Sequence, residues 1–202
     1  MFAHLNRPRR RVRGVTLTEV MVVVAIVAIL AMLAAPNFSA MIERNRINSA
    51  ANEMLMALQL ARSEAIRLNR TATLCPSTDG TTCTNNPAGW ESGWIVFHDR
   101  DGDGNFDQGP PAATADAVLR SWGALSPRLT LLGSAGVAPW VRYNARGQAI
   151  DTGHLIVCNN NQLLQARAIL ITTTRPRFAP DSNADRIPDA NDAGTNFASC
   201  TP

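Results

Sequence analysis

The sequence predicts an α+β fold: one long N-terminal helix packed on small antiparallel β-sheets. Three observations lead there. Between Val20 and Ala35 no residue carries a charge. Beyond Pro36, Ile47, Ala51, Met54, Leu58, Ala61, Ala65 and Leu68 recur at alternating steps of four and three, which is one apolar helical seam. After Arg70 the chain turns to short β-like runs separated by Gly, Pro, Asn and Asp, with no helical pattern between strands, so a parallel βαβ sheet is excluded.

The first element is the apolar run. Five arginines (Arg7, Arg9, Arg10, Arg11, Arg13) precede Gly14, and the 21 residues from Val15 to Ala35 are enough, at about 1.5 Å each, to cross a hydrocarbon core roughly 30 Å thick. Glu19 interrupts this run near its start, where a carboxylate would cost on the order of 3 kcal/mol near the centre of a bilayer. A secretory signal peptide needs a small-x-small cleavage site after its core, and LAMLAAPNF offers a poor one. A plain anchor accepts the arginines but gives no reason for Gly14 or Glu19. Pro36 removes one backbone hydrogen bond, yet the helical pattern resumes at once, which predicts a bend within a helix from Val15 to Arg70, about 84 Å long.

The strands follow at 72–75, 93–98, 118–122, 129–132, 141–143, 155–158 and 166–172. Asn144-Ala145-Arg146-Gly147 reads as a hairpin turn with its positive φ at Gly147. From Phe178 onward the chain is rich in Asp, Asn and Pro and reads as irregular.

Charge and cysteine content bound the compartment. The chain has 19 arginines, no lysine and 16 acids, and five of the arginines lie before Gly14; without them, 14 against 16 leaves about −2. The basic balance is a targeting feature and gives no support to general nucleic-acid binding. Positive residues ahead of a first membrane helix stay cytoplasmic, which puts the remainder on the outer side. Cys75, Cys83, Cys158 and Cys200 form an even set that suits an oxidising compartment. Of three possible pairings, Cys75 with Cys83 closes a Thr/Asn/Gly loop and Cys158 with Cys200 pins the tail to a strand. A zinc site is the rival reading, but no C-x-x-C pair or nearby histidine supports it.

Gly14, an apolar Val15, Thr16, Leu17, Glu19 five positions after the glycine, and Pro36 together resemble the class III signal of type IV pilins and type II secretion pseudopilins. Val15 and Thr18 stand where that family more often has Phe and Ile or Val. The order RSEAIRLNRTATLCP, GWIVFHDRDGDGNFD and ITTTRPRF further resembles the GspH pseudopilins and the FimT or FimU minor pilins. The resemblance implies a type IV pilin-like fold, cleavage between Gly14 and Val15 by a prepilin peptidase, N-methylation of Val15, and assembly with other pilins through the N-terminal helix. It implies an inner-membrane protein with a periplasmic C-terminal domain that ends near a filament tip. The corresponding organisation is a leader (1–14), an assembly helix (15–36), an amphipathic continuation (37–70), a periplasmic β-domain (71–178) and a disulfide-tethered tail (179–202). Once the leader is removed, the new amino group at Val15 is a natural low-dielectric partner for Glu19 of a neighbouring subunit.

Other motifs carry weaker chemistry. Asp99, Asp101, Asp103 and Asp107 have the alternating spacing of the first half of a Ca²⁺-binding EF-hand loop, but Pro110 stands where the bidentate Glu belongs. Asp181, Asn183, Asp185 and Asp189 repeat the spacing, with Arg186 in place of the glycine. The bland alternative is two solvated turns. Arg175 and Arg177 resemble the Gly-Arg-x-Arg segment of DNA-binding FimT-like pilins, with Thr174 in place of the glycine. No enzyme is expected: His98 and His154 lack a nucleophile context, and G-x-S-x-G, H-E-x-x-H and phosphate-loop patterns are missing. Trp90, Trp94, Trp122 and Trp140 read as packing residues.

Overall fold

The computed structural model describes residues 14–84, 89–109, 115–190 and 194–200, without the side chains of 33–38. The arginine-rich leader, Pro110 and the side chain of Pro36 therefore lie outside the described residues. The first element is a helix, α1 (Leu17–Leu68), unbroken through position 36. Its two ends have identifiable stops. Thr16 accepts the Glu19 backbone N–H on its hydroxyl at 3.3 Å, which is an N-cap placing Glu19 at the third helical position. At the other end Asn69 takes φ 52°, and the N–H groups of Asn69 and Arg70 donate to the carbonyls of Ile66 and Ala65, each at 3.2 Å. This is a Schellman stop built on Asn rather than Gly.

Contacts divide the chain into two compact units, 1–42 and 43–202. The described part of the first is the beginning of α1 and the three residues before it. In the second, among the described residues, the rest of α1 meets eight strands: β1 (Thr71–Pro76), β2 (Trp94–Asp99), β3 (Ala117–Trp122), β4 (Leu129–Gly133), β5 (Val141–Tyr143), β6 (Gly153–Asn159), β7 (Gln162–Ile171) and β8 (Pro176–Phe178). They form two four-stranded sheets, in the orders β3-β2-β1-β5 and β4-β6-β7-β8, with every pairing antiparallel.

The expected seam is buried from Ile47 to Ala65 and is widened by Ala50 and Ala57. It meets Leu74, Trp94 and Val96 of the first sheet and Leu131, Leu155, Val157 and Ile169 of the second, in one core. Five of the buried helical positions are alanine, whose short side chains let both sheets approach the helix axis. Arg62 Nε donates to the Gly147 carbonyl at 2.8 Å, tying the helix to the hairpin after β5. Gly147 has φ 71°, and a Cβ there would meet Ile66 Cδ1 at 2.6 Å, so both backbone and space demand glycine.

Strands β1, β2 and β6 are buried on both faces, so they read as continuous apolar runs rather than alternating ones. The outer face of the first sheet, Cys75, Ile95 and Phe97, lies under Cys83, Phe106 and Trp140. The outer face of the second, Ile156, Cys158, Ala168 and Leu170, lies under Phe197 and Cys200. Each cover is joined to its sheet by a disulfide: Cys75 to Cys83 with Cα atoms 5.6 Å apart, and Cys158 to Cys200 at 6.2 Å.

One expectation needs correction. Phe178 does not begin an irregular tail; it ends β8, which pairs Leu170 with Arg177 and Ile169 with Phe178. The segment after it is a cover for the second sheet, bridged to itself between Asp189 and Asn196.

Candidate functional site

The N-terminal apolar helix is the first candidate. Every described side chain from Val15 to Met32 is exposed, including Val15 at 72% and Leu17 at 78%. A helix exposed and apolar on all sides is suited to be covered by lipid or by other helices. Among the described residues no helix is long and apolar enough to cross a membrane. The described apolar side chains end at position 32, where 33–38 fall outside the set. Gly14 and Val15 precede the Thr16 cap, outside any helix or strand, and Glu19 follows within the first turn. There the carboxylate faces the positive end of the helix dipole.

The second candidate is the acidic loop after β2. Asp99 is fully buried and Asp101 and Asp103 are exposed, and one oxygen of each lies within 4.8 Å of the others. The Thr73 hydroxyl donates to Asp99 Oδ2 at 2.7 Å, the Gly104 N–H to the same oxygen at 3.0 Å, and the Gly102 N–H to Oδ1 at 2.6 Å. Burial pushes the Asp99 carboxyl above its usual range, and these three donors pull back against it. Asp107 stands outside the group of three. Partial loss of water and the like charges of Asp101, Asp103 and Asp116 raise its carboxyl. Arg142 of β5 latches the loop. It makes two bonds to Asp151, at 3.0 and 2.9 Å, and a third to the Gly102 carbonyl at 3.1 Å. The Asp99 carboxylate therefore organises the loop by accepting protein donors. Three carboxylates alone do not identify a metal site.

The remaining residues are dispersed. Asp181 accepts the N–H groups of Asp185 and Arg186, each at 3.1 Å, and Asp189 is buried with Oδ2 on the Ser182 N–H at 2.7 Å. Asp181, Asp185 and Asp189 do not converge as Asp99, Asp101 and Asp103 do. Arg175 is exposed in the turn before β8, and Arg177 lies within β8 on the sheet edge. His98 is the penultimate residue of β2, and burial lowers its pKa. His154 packs on Phe197, 4.6 Å between rings, and burial lowers it as well. Trp90 and Trp94 are core residues, and Trp94 stacks on Trp122 across β2 and β3. The Arg142 latch was not legible in the sequence, because its partners lie 9 and 40 residues away.

Comparisons with known proteins agree with this geometry. Residues 50–175 match the family of the type II transport protein GspH, and residues 9–35 match the prokaryotic N-terminal methylation motif. The fold is similar to that of the type IV minor pilin FimU of Pseudomonas aeruginosa strain PAO1. In one crystal form FimU is 23% identical with a TM-score of 0.54, covering 78% of this chain and 97% of FimU. In another it is 22% identical with a TM-score of 0.50, covering 76% and 98%. The minor pseudopilin EpsH from the type 2 secretion system of Vibrio cholerae is 13% identical with a TM-score of 0.45, covering 68% of this chain and 98% of EpsH. No curated protein matches the chain. None of these comparisons supports the DNA-binding reading of Arg175 and Arg177.

Proposed function

The chain belongs to the GspH family of type II transport proteins and is a minor pilin or pseudopilin, and we propose that it is cut between Gly14 and Val15 and polymerises through the helix this exposes. The observation that carries the reading is the coincidence, over one segment, of the methylation motif and a helix exposed and apolar on every side. Such a helix needs lipid before assembly and other helices afterwards.

In this reading a prepilin peptidase removes the arginine-rich leader and Val15 receives the methyl group. The apolar helix sits in the inner membrane with its N-terminus cytoplasmic, as the five leader arginines direct. The β-domain lies in the periplasm, where the two disulfides persist. On entry into a filament, the Val15 amino group and Glu19 of adjacent subunits approach in a water-poor core. Opposite charges there attract far more strongly than in water, which sets the axial register. The chain's work is assembly, and its β-domain is the part displayed.

Intact-mass measurement of the chain expressed with and without an active prepilin peptidase tests this. The expected species with the enzyme begins at Val15 and carries one added methyl group. A leader still attached in the presence of active enzyme would refute the reading.

A further inference from the structure

Outside the sites described so far, the second compact unit holds an open cavity of about 310 Å³ where α1, β7 and the tail meet. Its lining includes three arginines, Arg44, Arg167 and Arg186, against a single acid, Asp181. That carboxylate is already engaged, since its two oxygens accept the N–H groups of Asp185 and Arg186 at 3.1 Å each. Among the described residues none of the three arginines is in an ion pair. Three guanidinium groups against one carboxylate leave the lining with a net charge of +2.

The arginines are held in different ways. Arg167 lies with its guanidinium 4.4 Å over the Phe178 ring, and its Nε is enclosed without a hydrogen-bond partner. Arg186 is fixed at its backbone: it has φ 71°, its N–H is on Asp181, and its carbonyl accepts the Gln165 N–H at 2.8 Å. Its side chain is left exposed. Arg44 projects from the exposed side of α1.

We propose that this cavity binds an acidic peptide segment of a neighbouring subunit. The guanidinium groups suit carboxylates, with paired N–H donors in a planar fork. Asn48 and Gln165 also line the cavity. An amide matches the donor and acceptor of a peptide group. The volume is several times what a lone oxyanion fills, which favours a chain segment over an inorganic ion. The proposal deepens the assembly reading by naming the chemistry of the partner, and it rests on that reading for the identity of the partner as a subunit.

The test uses the full chain in detergent and a fluorescently labelled peptide of alternating Asp and Ala, with an Asn-for-Asp copy as control, followed by anisotropy. Saturable binding of the acidic peptide is expected, with at least about tenfold weaker binding of the Asn copy and of each of Arg44→Gln, Arg167→Gln and Arg186→Gln. Arg120→Gln, outside the cavity, is expected to bind as the parent does. Arg167 packs on Phe178 and its loss could disturb the fold, so the exposed Arg44 and Arg186 variants carry the decision. Equal binding of both peptides overturns the proposal. So does unchanged binding in Arg44→Gln and Arg186→Gln, or tighter binding of inorganic phosphate or of single-stranded DNA than of the peptide. Binding is read on isolated protein, so an intact site in a chain that fails to enter filaments counts against the assembly reading alone.

Discussion

The Thr73 hydroxyl donates to the Asp99 carboxylate at 2.7 Å between two side chains that are both fully buried. Thr73 is paired with Phe97 across β1 and β2, so Asp99, two residues on, is its diagonal neighbour on the same outer face. That bond joins the first sheet to the acidic loop, and the carboxylate then holds the loop through the Gly102 and Gly104 N–H groups.

Thr73→Val keeps the shape and removes the donor. A buried hydrogen bond to a charged group contributes about 1.5–3 kcal/mol, so the melting temperature of the full chain should fall by about 3–10 °C. An unchanged melt would show that the bond does not hold the loop.

The same pair sets a pH dependence. The folded-state pKa of Asp99 is raised, so between the ordinary carboxylate value and the raised one the folded chain binds more protons than the unfolded chain. The penalty for burying this charge is absent below that window, grows as pH rises through it, and is complete above it. Because Thr73 supports the ionised form, its loss raises the folded-state pKa of Asp99 further, so the stability gap between parent and Thr73→Val is expected to shrink as pH falls from above the parent's raised value down to it. Denaturant titrations of both proteins at several pH values would reveal a constant gap if Asp99 were not the responsible group.

Leu58 is fully buried on the helix seam, between the two sheets. Leu58→Ala should cost about 2–5 kcal/mol, from lost transfer energy plus the cavity left behind. Thermal unfolding followed by circular dichroism measures this, and a loss below half a kilocalorie would mean that the sheets close onto the helix.

The two disulfides span 8 and 42 residues. Chain-entropy scaling gives about 2.5 kcal/mol for the shorter loop and about 4 kcal/mol for the longer one. Cys158→Ser with Cys200→Ser is therefore expected to destabilise more than Cys75→Ser with Cys83→Ser, and to release the cover of Phe197 from the second sheet. Equal effects in denaturant titration would assign the stabilisation to the folded state rather than to the unfolded chain.

Glu19→Leu removes the one acid from the apolar helix. Membrane insertion should be retained or improved, while incorporation into filaments should drop by at least an order of magnitude. Counting the variant in sheared filaments against the parent reads the effect, and normal incorporation would remove Glu19 from the register mechanism.

How much was legible from sequence varied along the chain. The helix seam from Ile47 to Ala65 could be read because apolar residues recur at the helical period, and the strand positions because short β-prone runs are bounded by Gly, Pro, Asn and Asp. The hairpin at Gly147 could be read because few residues adopt its φ of 71°. Strand β8 was missed because three residues, one of them proline, carry no alternation to detect, and only the neighbouring β7 makes them a strand. The tail has no helix or strand among the described residues, but its role as a cover was not legible, because its anchors, Phe197 and Cys200, are isolated in a polar stretch and pack with Ile156 and Leu170, distant in sequence.

By itself the sequence determined what periodicity and local chemistry can specify: a charge-free helix with a basic leader and one acid, an amphipathic continuation, and a set of short strands. The tertiary structure decided what depends on residues far apart in the chain. It made Asp99 a buried organiser of its loop rather than a solvated acid, put a disulfide-linked cover on the outer face of each sheet, and gathered Arg44, Arg167 and Arg186 around one cavity. The physical reason is range: secondary structure follows from neighbours within a few residues, whereas burial and electrostatic environment are set by whatever the fold brings alongside.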